Sequence, residues 1–178
     1  MTTAAAAEPL SSSTLAEGGS SVGERELSFM RRALAAAELA RGRGEVPVGA
    51  VVVLGDEVVA IAHNEAETLG DPTAHAEILA LRRAAAALGR WRLTDADLYS
   101  TFEPCPMCAQ AISFARLRRL YFGVDNSKTG AVRTLYNLVN YSRLNHRVEV
   151  FPNVLAAEGA ALLCGFYSRP RQVFNRER

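Results

Sequence analysis

The chain has 178 residues, 49% of them hydrophobic and 22% charged, with a formal net charge of +1. That length suits one domain with a sizeable core, and the near-zero charge excludes a global field as the means of holding nucleic acid, leaving only a local basic patch. Three cysteines are too few for a disulfide framework, so a reducing cytoplasm is the simplest compartment, and no apolar run is long enough to span a bilayer.

Met1–Gly23 consists mostly of Ala, Ser, Thr and Gly, with Glu8 and Glu17 and no Lys or Arg. It reads as a disordered tail, without the basic start of a signal peptide or the arginines of a transit peptide. Residues 24–178 read as one domain. From Glu24 a helix is expected, with Leu27, Met30, Leu34 and Ala37 near one face and a stop at Gly42–Gly44. Val46–Leu54 and Val58–Ala62 form a hairpin across Gly55-Asp56-Glu57. After Asp71-Pro72-Thr73 a helix runs from about Ala74 to Leu88, with Ile78, Leu81 and Ala85 at helical spacing. Asp97–Phe102 is a strand, Pro106–Arg116 a helix and Arg119–Val124 a strand. A turn-rich stretch with some helix covers Asn126–Asn145, followed by a strand at Val148–Phe151 and a helix at Leu155–Ser168. Strands alternating with helices indicate a layered α/β domain.

Two short motifs carry the chemistry: His75-Ala76-Glu77 and Pro104-Cys105-Pro106-Met107-Cys108. One imidazole and two thiolates suit Zn²⁺ and leave one tetrahedral position open, as catalytic zinc requires. Glu77 is not needed as a ligand and is placed to carry protons. Both motifs fall at predicted helix starts, where free N–H groups and partial positive charge favour thiolates. A structural zinc site would need a fourth ligand, for which Cys164 and His146 are the candidates. A redox reading of the Cys pair would leave His75 and Glu77 without a task.

This H-x-E…P-C-x-x-C pattern is the signature of the zinc-dependent nucleobase deaminases. The chain resembles the cytidine deaminase superfamily, and within it the tRNA-specific adenosine deaminases (TadA type). The matching stretches are Glu45-Val46-Pro47-Val48-Gly49-Ala50, Asp71 to Ile78, Glu103 to Cys108, Lys128-Thr129-Gly130 and Asn145-His146-Arg147-Val148-Glu149. The resemblance implies a three-layer α-β-α fold with a five-stranded mixed sheet, one Zn²⁺ per subunit and a homodimer. It also implies conversion of the tRNA wobble adenosine to inosine. Asn64 falls where that family places an asparagine that binds the flipped base; taken alone, Asn64 reads as a turn residue. Val48 and Phe102 are expected to line the base pocket, Asn126 and Lys128 to lie near the substrate backbone, and Phe166 either to stack on a base or to fill core.

A second resemblance is to laboratory-evolved TadA variants used as adenine base editors on single-stranded DNA. It rests on Arg41, Leu54, Ala66, Leu69, Phe102, Val124, Asn126, Tyr141, Cys164, Pro170, Val173, Phe174 and Asn175; Gly165 departs from that set. It implies an engineered deaminase on a different TadA background, used with or fused to an RNA-guided nuclease. Asn126 stands where the natural family usually carries Asp, and an amide there removes a charge that repels phosphate. Arg169, Arg171, Arg176 and Arg178 make a basic terminus suited to a phosphodiester backbone. Deaminases of free guanine or cytidine share the zinc motif and remain the enzymatic alternatives. A zinc-stabilised nucleic-acid-binding module is the non-enzymatic one.

Overall fold

The computed structural model describes residues 22–168. Most of the Met1–Gly23 tail and the Arg169–Arg178 segment, including Pro170, Val173, Phe174 and Asn175, lie outside the described residues. The element order is α1 (Glu24–Gly42), β1 (Gly49–Leu54), β2 (Glu57–His63), α2 (Ala66–Leu69), α3 (Ala76–Leu88), β3 (Ala96–Phe102), α4 (Pro106–Ala115), β4 (Arg119–Val124), β5 (Glu149–Phe151) and α5 (Ala156–Tyr167).

The five strands form one mixed sheet in the order β2-β1-β3-β4-β5. β1 pairs antiparallel with β2 and β3, whereas β3-β4 and β4-β5 are parallel. Alternation along β1 sends Ala50 and Val52 to one face and Val51 and Val53 to the other. All four are buried, so both faces of the sheet are covered. The face shared by Ala50, Leu98, Leu120 and Phe122 packs on Leu79, Ala80 and Ala84 of α3 and Ile112 of α4. The opposite face packs on Phe29, Met30 and Ala33 of α1. There Phe29, Tyr99, Tyr121 and Phe151 form a row, with ring centroids 5.3, 4.5 and 4.6 Å apart along it. Helix α5 joins α1 on that side, in contact with β3 and β4. The three layers are the architecture implied by the resemblance.

Close approach of α1 to β1 depends on Gly49, where any Cβ would overlap the Ala33 carbonyl and the Ala37 amide. Two sequence expectations, the start of the first strand and helix within Asn126–Asn145, need correction. The first strand begins at Gly49, not Val46. Of the apolar positions at helical spacing on α3, Leu81 is buried. Ile78 and Ala85 are half-exposed and line a shallow groove with Trp91 and Phe114. The stretch from Asn126 to Asn145 holds turns and bends and no helix. Its amides are claimed by side chains instead: Lys128 and Thr129 donate to Asn126 Oδ1, and Val132, Arg133 and Thr134 donate to Glu103. Among the described residues no helix is long and apolar enough to cross a membrane.

Candidate active site

Two helix N-termini meet on one side of the sheet. His75 is the N-cap of α3 and Cys105 the N-cap of α4, with Pro106 at the first helical turn. Proline at that position costs nothing, because its missing N–H would have had no intrahelical partner. Asp71 sets up the first helix by accepting bonds from the Thr73 amide (2.8 Å) and hydroxyl (2.7 Å). The result brings His75, Cys105 and Cys108 together, with their ligand atoms all within 4.8 Å of one another.

The distances test the fit to zinc. A tetrahedral ion with Zn–S of about 2.3 Å and Zn–N of about 2.05 Å requires N···S separations of about 3.5 Å. His75 Nδ1 lies 3.6 Å from Cys105 Sγ and 3.5 Å from Cys108 Sγ. The cluster is therefore compatible with zinc. The structural-zinc alternative finds no support: His146 Nε2 bonds the Leu117 carbonyl at 2.8 Å, and Cys164 is exposed. Neither joins the cluster.

Electrostatics point the same way. The Cys105 thiol is lowered to about 4, chiefly by the hydrogen bond from the Cys108 thiol and further by His75, against the opposing effect of burial. Giving that bond, together with burial, pushes Cys108 far up. The sulfurs and the imidazole thus share hydrogen bonds whose protons a bound cation would displace. His75 is raised by its bond with Cys105. Glu77 is 4% exposed, and burial pushes its carboxyl above the ordinary range. A carboxyl moved towards neutral pH is suited to taking and giving a proton.

The other sequence candidates fall in four places. Asn64 and Val48 are buried and adjacent, with the Asn64 amide N–H donating to the Val48 carbonyl at 3.0 Å. Phe102 ends β3, half-buried, directly before the Glu103-to-Cys108 turn. Lys128 is exposed on the loop that follows β4. Asn126 lies on that loop as well, but its side chain is spent within it. Oδ1 accepts from the Lys128 and Thr129 amides at 3.1 and 3.0 Å, and Nδ2 donates to Thr129 Oγ1 at 2.8 Å. Any effect of Asn126 on a substrate backbone therefore passes through the loop's shape and charge. Phe166 sits apart: α5 contacts α1, β3 and β4 and neither α3 nor α4, and the ring packs edge-on against Tyr167 at 5.3 Å.

Two buried carboxylates were missed by residue-level reading. Glu45 accepts bonds from Asn64 Nδ2 and from the Glu67 and Thr68 amides. Glu103 accepts from the amides of Asn126, Val132, Arg133 and Thr134 and from the Thr134 hydroxyl. Their signal in the sequence was a lone acid beside a motif in apolar surroundings.

A family model for MafB19-like deaminases matches residues 24–171. The tRNA-specific adenosine deaminase of Bacillus subtilis is 44% identical over 144 residues, spanning 81% of this chain and 89% of the relative. The chain belongs to the tRNA-specific adenosine deaminase family. The Agrobacterium fabrum member of the family is 46% identical over 143 residues, covering 80% of this chain and 94% of its own. A solved tRNA:A34 deaminase, from a study of A-to-I editing at the wobble position, matches with a TM-score of 0.74 at 47% identity. That match covers 76% of this chain and 99% of the solved one. This family member is a deaminase whose His/Cys/Cys cluster occupies two facing helix starts.

Proposed function

We propose that this deaminase converts adenosine to inosine in a single-stranded or extruded segment of nucleic acid, using one Zn²⁺ held by His75, Cys105 and Cys108. The observation that carries the proposal is the buried Glu77 beside a three-ligand cluster, in a chain whose relatives are named tRNA-specific adenosine deaminases. Bound zinc supplies a Lewis acid that makes hydroxide available near neutral pH. Glu77 takes the proton released from water and passes it to ring N1 as C6 is attacked, then carries the remaining hydroxyl proton from C6 to the amine as the C–N bond breaks. Water is consumed and ammonia released. Asn64 and Val48 bind the base, Phe102 borders it, and Lys128 meets a backbone phosphate.

The tRNA anticodon loop is the substrate favoured by the relatives. Deoxyadenosine in single-stranded DNA is the second substrate, favoured by Asn126. A carboxylate at that position would put a negative charge under the loop that presents Lys128, and an amide keeps the turn without the charge. A homodimer is also part of this reading. The exposed Trp91, in the loop after α3, and Phe114 of α4 border Ile78 of α3 in an apolar strip that a second copy would cover.

Product analysis on RNA and DNA hairpins of one loop sequence, with free guanine and cytidine alongside, tests the proposal. Inosine from the hairpins and no turnover of the free compounds is the expected result. Turnover of guanine or cytidine alone would overturn it. Asn126→Asp should lower the DNA rate more than the RNA rate, and an unchanged ratio would remove the DNA reading.

A further inference from the structure

Glu45 is fully buried, and among the described residues no cation pairs with it. A carboxylate in that position is costly unless several donors satisfy it. Three do so. Asn64 Nδ2 donates to Oε2 at 2.9 Å, the Glu67 amide donates to the same oxygen at 3.2 Å, and the Thr68 amide donates to Oε1 at 2.6 Å. The two amides belong to the short helix α2, whose first N–H groups have no partner inside the helix. Glu45 thus ties α2 to the segment that leads into β1. The Glu45 amide donates in turn to the Ala40 carbonyl at 3.0 Å, which holds the residue against the end of α1.

The consequence for Asn64 is a matter of direction. An ionised carboxylate only accepts hydrogen bonds. The Asn64 amide must therefore turn its NH₂ towards Glu45, because the flipped rotamer would set Oδ1 against Oε2. The backbone of Asn64 is fixed independently: its N–H donates to Val48 at 3.0 Å, and His63 Nδ1 lies 2.9 Å from its carbonyl oxygen. With both main chain and amide pinned, Asn64 presents one order of donor and acceptor to whatever lies beside it. An asparagine free to flip would present either order, and a base edge with a donor next to an acceptor would meet the wrong one part of the time.

We infer that Glu45 is a positioning residue that fixes the amide orientation of Asn64 and so sets how the target base is held. This rests on the reading of Asn64 as a base contact. It assigns Glu45 no part in proton transfer and no contact with substrate.

The test is a double-mutant cycle on the zinc-loaded protein, with an adenosine-bearing RNA hairpin as substrate. Glu45→Gln keeps the volume and lets either face of the Asn64 amide be satisfied. With both amide orientations open, the productive one falls to about half or less, so kcat/KM should drop by about twofold or more. Asn64→Ala should lower kcat/KM further, and adding Glu45→Gln to it should cost nothing more, since no amide is left to orient. Zinc content and thermal midpoint measured on each variant separate orientation from unfolding. If Asn64→Ala leaves kcat/KM unchanged, the base-contact reading fails. If Asn64→Ala is crippling but the two substitutions multiply, or Glu45→Gln is silent, the positioning role is overturned. A second measurement needs no change at Glu45. The Asn64 side-chain NH₂ resonance, assigned by its loss in Asn64→Ala, should show one proton protected from solvent exchange. Rapid exchange of both protons would overturn the inference whatever the variants do.

Discussion

Replacing Glu103 by Gln should destabilise the protein by about 3 kcal/mol, because the two carboxylate oxygens have different tasks. Oε1 accepts from the amides of Val132, Arg133 and Thr134 at 3.1, 2.8 and 3.0 Å. Oε2 accepts from the Asn126 amide and the Thr134 hydroxyl, both at 2.9 Å. Glutamine can keep the first oxygen, but its NH₂ must then stand where Oε2 was. The Thr134 hydroxyl can turn away, since the Asn126 carbonyl is an alternative acceptor at 2.9 Å. The Asn126 N–H cannot turn, and a buried orphan donor costs about 1–3 kcal/mol. The three remaining bonds lose their charge assistance, roughly 0.5 kcal/mol each. For a domain of this size about 3 kcal/mol lowers the thermal midpoint by about 6–12 °C. Thermal unfolding followed by circular dichroism reads the shift directly. A decrease of less than about 2 °C would refute the view that this carboxylate organises the loop. The acid limb gives a second readout. Burial pushes Glu103 up, but the amides of Asn126, Arg133 and Thr134 outweigh it and hold the carboxyl below its ordinary value. A lowered folded-state pKa stabilises above the unfolded pKa, and that contribution is lost as pH falls through the folded one. Glu103→Gln should therefore flatten the loss of stability below about pH 4.5.

Glu77→Ala should keep its zinc and its fold and lose turnover by several orders of magnitude, because both attack and amine departure use this carboxyl; near-parental turnover would remove the proton-carrier role. Cys105→Ala should lose metal by elemental analysis, since two remaining ligands hold zinc poorly, and full occupancy would overturn the assignment. Light scattering at micromolar concentration should report about twice 19.2 kDa, and a strict monomer would leave the Trp91–Phe114 strip without the proposed cover.

The fold was legible where one residue's neighbours decide its state. The apolar runs of β1 and β4 and Pro106 at the start of α4 act locally, and the elements they mark lie within a few residues of expectation, whereas the short α2 was not expected. The Asn126–Asn145 stretch was not legible in this way. Its amides bond to a carboxylate more than twenty residues earlier in the chain, and no local pattern in a loop announces a partner at that distance. Ile78 and Ala85 show the same limit from the other side. Their helical spacing is real, but spacing alone cannot say whether an apolar stripe faces a core or a surface groove.

The site divides along the same line. The His75, Cys105 and Cys108 cluster could be read in the sequence because metal chemistry demands particular side chains at particular spacings, and the two helix starts bring those residues together. Glu45 and Glu103 carry no such demand, since an acid is common and its burial is invisible in one sequence. Yet both do the same physical work. Glu45 takes donors from Asn64 and the start of α2, and Glu103 takes them from the loop that carries Asn126 and Lys128. A segment built this way is held by charge-assisted bonds to a buried carboxylate next to a strand end rather than only by its own turns. Rigidity is needed where a base must be placed to within a fraction of an ångström of the metal cluster, and a flexible loop would lose that placement. The His/Cys/Cys motif thus names the chemistry proposed, and the two buried acids fix the segments that carry the proposed substrate residues.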